Sequence, residues 1–125
     1  MDDGATILVV DDEPLIRKML VLFLEQEGFT VFTASNGLDA LDISRLHADE
    51  IHLVLSDVVM PGMDGLMLAR ELSIERPALP VLLMSGCSET IDLNSDKDLQ
   101  CLPKPFALRT LLGAVQRLMA QKVAD

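Results

Sequence analysis

Short apolar runs alternate with longer stretches of helical periodicity along this chain, and that alternation limits the fold more than any other feature. The runs lie at residues 6–10 (TILVV), 30–34 (TVFTA), 51–56 (IHLVLS), 80–84 (PVLLM) and 99–102 (LQCL). They have strand length, and most are rich in Val, Ile, Leu or Phe. Between the first two, PLIRKMLVLFLEQEG repeats apolar residues at three- and four-residue spacing, opens with Pro14 and closes on Gly28, which predicts a helix from about 14 to 27. NGLDALDISRLHAD places Leu38, Leu41 and Leu46 on one predicted face behind a candidate cap, Asn36. DGLMLARELSIERP does the same with Leu66, Leu68, Ala69 and Leu72 before Pro77. In FALRTLLGAVQRLMAQKV, residues Leu108, Leu111, Leu112, Val115 and Leu118 keep helical register, so its methionines read as core filler. Residues 87–98, CSETIDLNSDKD, carry few strong apolar anchors and predict a short helix or turns.

Strands separated by helices must be joined by right-handed crossovers, which gives an α/β fold with a mostly parallel sheet and helices on both faces. At 125 residues and 50% hydrophobic content, the chain suffices for a single domain over 1–125. Open sheets of this kind bind ligands at the carboxyl ends of their strands, where strand order reverses.

The residues at those ends are chemically unusual as a set. Asp11 and Asp12 follow the first run, Asp57 the third, Ser85 the fourth, and Lys104 comes shortly after the fifth. Singly, an Asp after a strand is a turn former or helix cap. Together they converge on one rim. In ILVVDDEP an apolar strand runs straight into three acids, whose mutual repulsion persists only if solvent, a cation or a basic side chain offsets it. Carboxylates with water and a carbonyl are the oxygen ligands Mg²⁺ prefers, and Asp57 is then a candidate nucleophile able to form an aspartyl-phosphate. With the metal, Lys104 and the Ser85 hydroxyl can hold phosphoryl oxygens, since such transfer depends on positioning and charge neutralisation.

Composition removes other functions. A net charge of −10, no Trp or Tyr and only four Phe argue against nucleic acid as a direct partner. The apolar stretches fall far short of the ~20 residues that span a bilayer, and no leader precedes the first strand, so the expectation is a cytoplasmic protein without membrane contact. Cys87 and Cys101 lack metal-ligand spacing and read as free thiols, while the isolated His47 and His52 read as surface or helix-end residues.

The segments LVVDDEP, LSDVVMPGMDG, LLMSG and LPKPF, in this order and spacing, resemble the receiver domain of two-component response regulators over essentially the whole chain. The resemblance implies a flavodoxin-like (βα)5 fold with strand order 2-1-3-4-5. It implies that Asp57 accepts phosphate from a histidine kinase or histidine phosphotransfer protein. Mg²⁺ would be held by Asp12, Asp57 and the Val59 carbonyl, with Asp11 acting through water, while Ser85 and Lys104 contact the phosphoryl group. It also implies a cis Lys104–Pro105 peptide, and a loop after Asp57 shaped by Pro61, Gly62 and Gly65. Such a domain catalyses its own phosphorylation without being a metabolic enzyme, and is expected as a monomer or weak dimer, either standing alone or cut from a hybrid kinase. The competing readings are a receiver-like interaction module that no longer takes phosphate and a Mg²⁺-dependent phosphohydrolase. The latter commonly carries a second acid two residues after its nucleophile, where this chain has Val59.

The sequence departs from the family pattern in two places. Cys101 stands three residues before Lys104, where receivers usually carry Tyr or Phe, so the aromatic half of the usual switch is absent. The interval from Ser85 to Lys104 is only 19 positions, which again predicts a short or irregular fourth helix. Val59 and Cys87, two residues after Asp57 and Ser85, occupy positions that in receivers face the water attacking the phosphorus, and neither orients water well; slow dephosphorylation is expected.

Overall fold

Successive residues of a strand point to opposite faces, so a run that is apolar at every position needs cover on both sides. β1 (Thr6–Val10) shows this directly: Ile7 and Val9 enter one core cluster, Leu8 and Val10 the other, and all four are fully buried. The structure is a computed structural model that describes residues 5–85 and 99–124. Its further elements are α1 (Pro14–Gln26), β2 (Thr30–Ala34), α2 (Gly37–Leu46), β3 (Leu53–Asp57), α3 (Gly65–Glu75), β4 (Val81–Ser85), β5 (Leu99–Pro103) and α4 (Leu108–Ala124). The segment 87–98, with Cys87 and the expected short helix, lies outside the described residues.

The strands form one parallel sheet in the order β2-β1-β3-β4-β5, as the family resemblance implies. Leu53, Leu55, Leu82 and Met84 continue the face of Ile7 and Val9, where Leu20 and Leu24 of α1 and Leu111, Val115 and Leu118 of α4 close over them. Val54, Val81 and Leu83 continue the opposite face against Ala40 and Leu41 of α2 and Leu68, Ala69 and Leu72 of α3. Fully burying one such Leu contributes roughly 1.5–3 kcal/mol, and these two layers hold the fold. The exposed Arg45–Glu75 fork joining α2 to α3, with Nη2 to Oε2 at 2.6 Å, adds little because solvent screens it.

Helix starts follow their local chemistry. Pro14 opens α1 at a position whose N–H needs no partner. The Asn36 side chain accepts from the Asp39 N–H at 2.8 Å and caps α2, and Asp64 accepts from the Met67 N–H at 2.9 Å and caps α3. Gly28 ends α1 with φ 99°, a left-handed conformation glycine adopts without strain.

The expected inward face of α2 is corrected by the structure. Leu41 is buried, but Leu38 is 62% and Leu46 77% exposed, and the covered stripe is Gly37, Ala40, Leu41 and Ser44. Small residues at that stripe let the helix lie close to the sheet, so the leucines do not mark the buried side. Three strands also shift at their ends: β3 covers Leu53–Asp57 rather than 51–56, β4 covers Val81–Ser85 rather than 80–84, and β5 covers Leu99–Pro103 rather than 99–102. Asp57 and Ser85 are therefore the last residues of their strands, paired in the ladder with Met84 and Pro103.

Both histidines have structural partners. His47 ends α2, stacks on Phe32 with ring centroids 4.4 Å apart and places Nδ1 2.7 Å from Glu50 Oε2. His52 Nδ1 accepts from the Thr6 N–H at 2.9 Å. No helix among the described residues is long and apolar enough to cross a membrane.

Candidate functional site

The order of the sheet reverses at β1, which leads on one side to β2 and on the other to β3, and the polar residues gather at the carboxyl ends there. Asp11 follows β1 directly and is fully buried. Its N–H donates to the Ala34 carbonyl at 3.2 Å, its Oδ1 accepts from the Glu13 N–H at 2.9 Å, and its carbonyl accepts from Arg17 Nη1 at 2.7 Å. Three bonds thus fix the residue and leave one oxygen, Oδ2, buried with no hydrogen bond. Asp57 ends β3 and is nearly buried, whereas Asp12 is exposed. One carboxylate oxygen from each of Asp11, Asp12 and Asp57 lies within 4.8 Å of the others.

Lys104 comes in from β5. Its N–H donates to the Ser85 carbonyl at 2.7 Å and its bond to Pro105 is cis. Its ammonium stands 3.4 Å from Asp57 Oδ1 and 3.9 Å from Asp11 Oδ2. Ser85 is buried at the end of β4. The structure therefore brings Asp11, Asp12, Asp57 and Lys104 together and places Ser85 beside them through the Lys104 backbone. Val59 leads away from Asp57 with its side chain 72% exposed. The loop carrying it turns sharply because Gly65 donates its N–H to the Val58 carbonyl at 2.8 Å; a β-carbon at Gly65 would collide with the Asp57 carbonyl and lie 2.9 Å from Val58 Cα.

Electrostatically the cluster is under-compensated. Burial pushes the Asp11 carboxyl above its ordinary 3.8. The Glu13 N–H opposes that shift, the Asp57 charge adds to it, and the Lys104 ammonium only partly answers. An orphaned buried carboxylate oxygen within a three-carboxylate set fits a small hard cation, and Mg²⁺ suits that donor set.

Folded Asp11 holds its proton more tightly than unfolded Asp11, so ionising it costs stability as pH rises through its raised folded value, whereas below 3.8 both states are protonated and no cost remains. In EDTA at pH 7, Asp11→Asn should therefore melt above wild type, with the gap closing as pH falls toward 3.8. A variant melting below wild type at neutral pH would show that the Lys104 attraction outweighs burial.

The family signature described as the response regulator receiver domain matches residues 7–116. The chain belongs to the receiver domain family of two-component systems. This receiver is 37% identical over 125 residues to the sensor kinase CckA of Brucella abortus, covering 98% of the chain but spanning only 13% of that kinase's length. Among solved structures it resembles a response regulator receiver domain protein of Clostridium thermocellum with TM-score 0.90 and 28% identity, covering 96% of this chain and 98% of that one. It also resembles the response regulator TrrA of Thermotoga maritima, solved in complex with Mg²⁺ and BeF, with TM-score 0.78, 33% identity and coverage of 91% and 98%.

One feature of this receiver escaped the sequence reading. Arg17 clamps the Asp11 carbonyl, and the only signal for it was a cation near the start of a helix, where the dipole favours acids. Cys101 is half-buried on the α3 side of the sheet opposite Leu83, and burial pushes its thiol up. It is free, as its spacing implies, and packs as a small hydrophobe, and the raised thiol argues against redox chemistry.

Proposed function

We propose that this receiver is a phosphoacceptor for signal transduction, in which Asp57 takes a phosphoryl group from a phosphohistidine of a histidine kinase or phosphotransfer protein in the cytoplasm. The observation that carries this reading is the Lys104 ammonium 3.4 Å from Asp57 Oδ1, at the edge of a three-carboxylate cluster. An Asp57 oxygen forms the new bond to phosphorus as the phosphorus–nitrogen bond to the donor imidazole breaks, and the leaving imidazole takes up a proton. Lys104 neutralises charge on the transferred group, and the Ser85 hydroxyl donates to one of its oxygens. Asp11, Asp12, Asp57 and the Val59 carbonyl would hold Mg²⁺, Asp11 through water, and the ion would supply charge neutralisation for the phosphoryl oxygens. The Mg²⁺–BeF complex of TrrA supports the assignment by likeness.

Incubation with acetyl phosphate and Mg²⁺ tests it by intact mass. The expected outcome is one phosphoryl adduct per chain, lost when EDTA replaces Mg²⁺. No adduct from acetyl phosphate, together with no response to beryllofluoride, would favour a receiver-like interaction module that does not take phosphate.

A further inference from the structure

The loop between β3 and α3 is anchored from inside. Val58 and Met60 are buried and Met63 is half-buried, all against the cluster shared with α2 and α3, while Val59 points outward. A second restraint comes from a different element. Gly37, the first residue of α2, is buried, and a β-carbon built on it would lie 2.7 Å from both Cγ and the carbonyl oxygen of Met63 and 2.9 Å from its Cβ. Atoms cannot approach a real β-carbon that closely, so Met63 can sit there only because residue 37 has none. The backbone does not demand glycine: positive φ among the described glycines occurs at Gly28 and Gly62. Glycine loses more conformational freedom on folding than any other residue, and the approach of Met63 is what accounts for it here.

We propose that Met63 seated on Gly37 positions the β3–α3 loop for cation binding, making both positioning residues of the acid site although neither supplies a ligand. The inference rests on the phosphoacceptor reading, in which the Val59 carbonyl of this loop is a ligand. Mg²⁺ requires near-ideal octahedral geometry and tolerates little displacement of a ligand. Groups that only orient ligands commonly change metal affinity by about 10–100-fold. A methyl group at residue 37 must push the Met63 backbone, because its carbonyl oxygen is among the obstructing atoms, and that push reaches Val59 four residues earlier along a loop pinned at Val58 and Gly65.

Calorimetric titration of Mg²⁺ into wild type, Gly37→Ala, Met63→Ala, Met63→Leu and the Gly37→Ala/Met63→Ala double variant tests this, with amide exchange of residues 58–65 followed in the metal-free proteins. Each alanine variant should bind Mg²⁺ roughly tenfold more weakly and exchange faster in the loop. The double variant should be no weaker than the worse single one, and Met63→Leu should restore most of the affinity. Wild-type affinity and loop exchange in both single variants, or losses that simply add in the double variant, would overturn the proposal. If Gly37→Ala fails to fold, the Met63 pair still decides it. If wild type itself binds no Mg²⁺, the phosphoacceptor reading fails, and the metal-free exchange then judges the positioning role alone.

Discussion

Asp57→Asn should abolish acid-labile phosphate on this chain while leaving the fold intact. The substitution keeps shape but replaces a carboxylate oxygen nucleophile with a neutral amide, which does not form the acyl-phosphate bond. It also strips one negative charge from a cluster already short of compensation: one carboxylate oxygen each from Asp11, Asp12 and Asp57 lies within 4.8 Å of the others, with Lys104 the ammonium that reaches both Asp11 and Asp57. Removing that charge relieves repulsion on buried Asp11 and costs the Lys104 contact, so the two effects on stability oppose each other. The melting temperature should move far less than the labelling. Intact mass after acetyl phosphate treatment, with peptide mapping of any residual adduct, measures the outcome. Unchanged labelling in the variant would remove Asp57 from its assigned role. Asp12→Asn makes a separate statement: the nucleophile remains, so labelling should recover at raised Mg²⁺, because what is lost is charge that the cation requires.

Much of this site was legible because topology, rather than any single residue, defines it. Near-continuous apolar runs such as Ile7 to Val10 mark strands covered on both faces, helical stretches between them force a parallel sheet, and such a sheet gathers its strand-end residues at one rim. The same reading placed Asp57 and Ser85 one residue too far along. The runs stop at Ser56 and Met84, just short of the rim residues, whereas the backbone ladder continues through Asp57 opposite Met84 and Ser85 opposite Pro103. Helix α2 failed for a related reason. Its buried stripe is carried by Gly37, Ala40 and Ser44 beside Leu41, so a count of leucines pointed Leu38 and Leu46 inward when close packing required small residues there. Contacts made through backbone atoms, such as Arg17 on the Asp11 carbonyl or Met63 over Gly37, leave no periodic trace and emerge only in three dimensions.

Val59→Asn should shorten the life of the phosphoryl group on Asp57 roughly tenfold, below the ~10²–10⁴ that a general acid or base typically contributes, because an amide orients water without taking its proton. Hydrolysis requires a water in line with the bond to be broken, and its entropy is lowered when a side chain holds it there. Val59 stands two residues beyond Asp57 with its side chain 72% exposed, and its isopropyl group offers that water no hydrogen bond. An asparagine at the same place presents both a donor and an acceptor. Because the residue is already exposed, the exchange should leave stability within about 0.5 kcal/mol, which separates a kinetic effect from a folding one. Loss of the adduct after removal of excess acetyl phosphate, followed by intact mass over time, gives both half-lives. A slow wild type and a fast variant would identify Val59 as the residue that preserves the phosphoryl group, suiting the chain to onward relay or a persistent signal. If wild type already loses phosphate within seconds and the variant matches it, another group positions the water and Val59 has no such role.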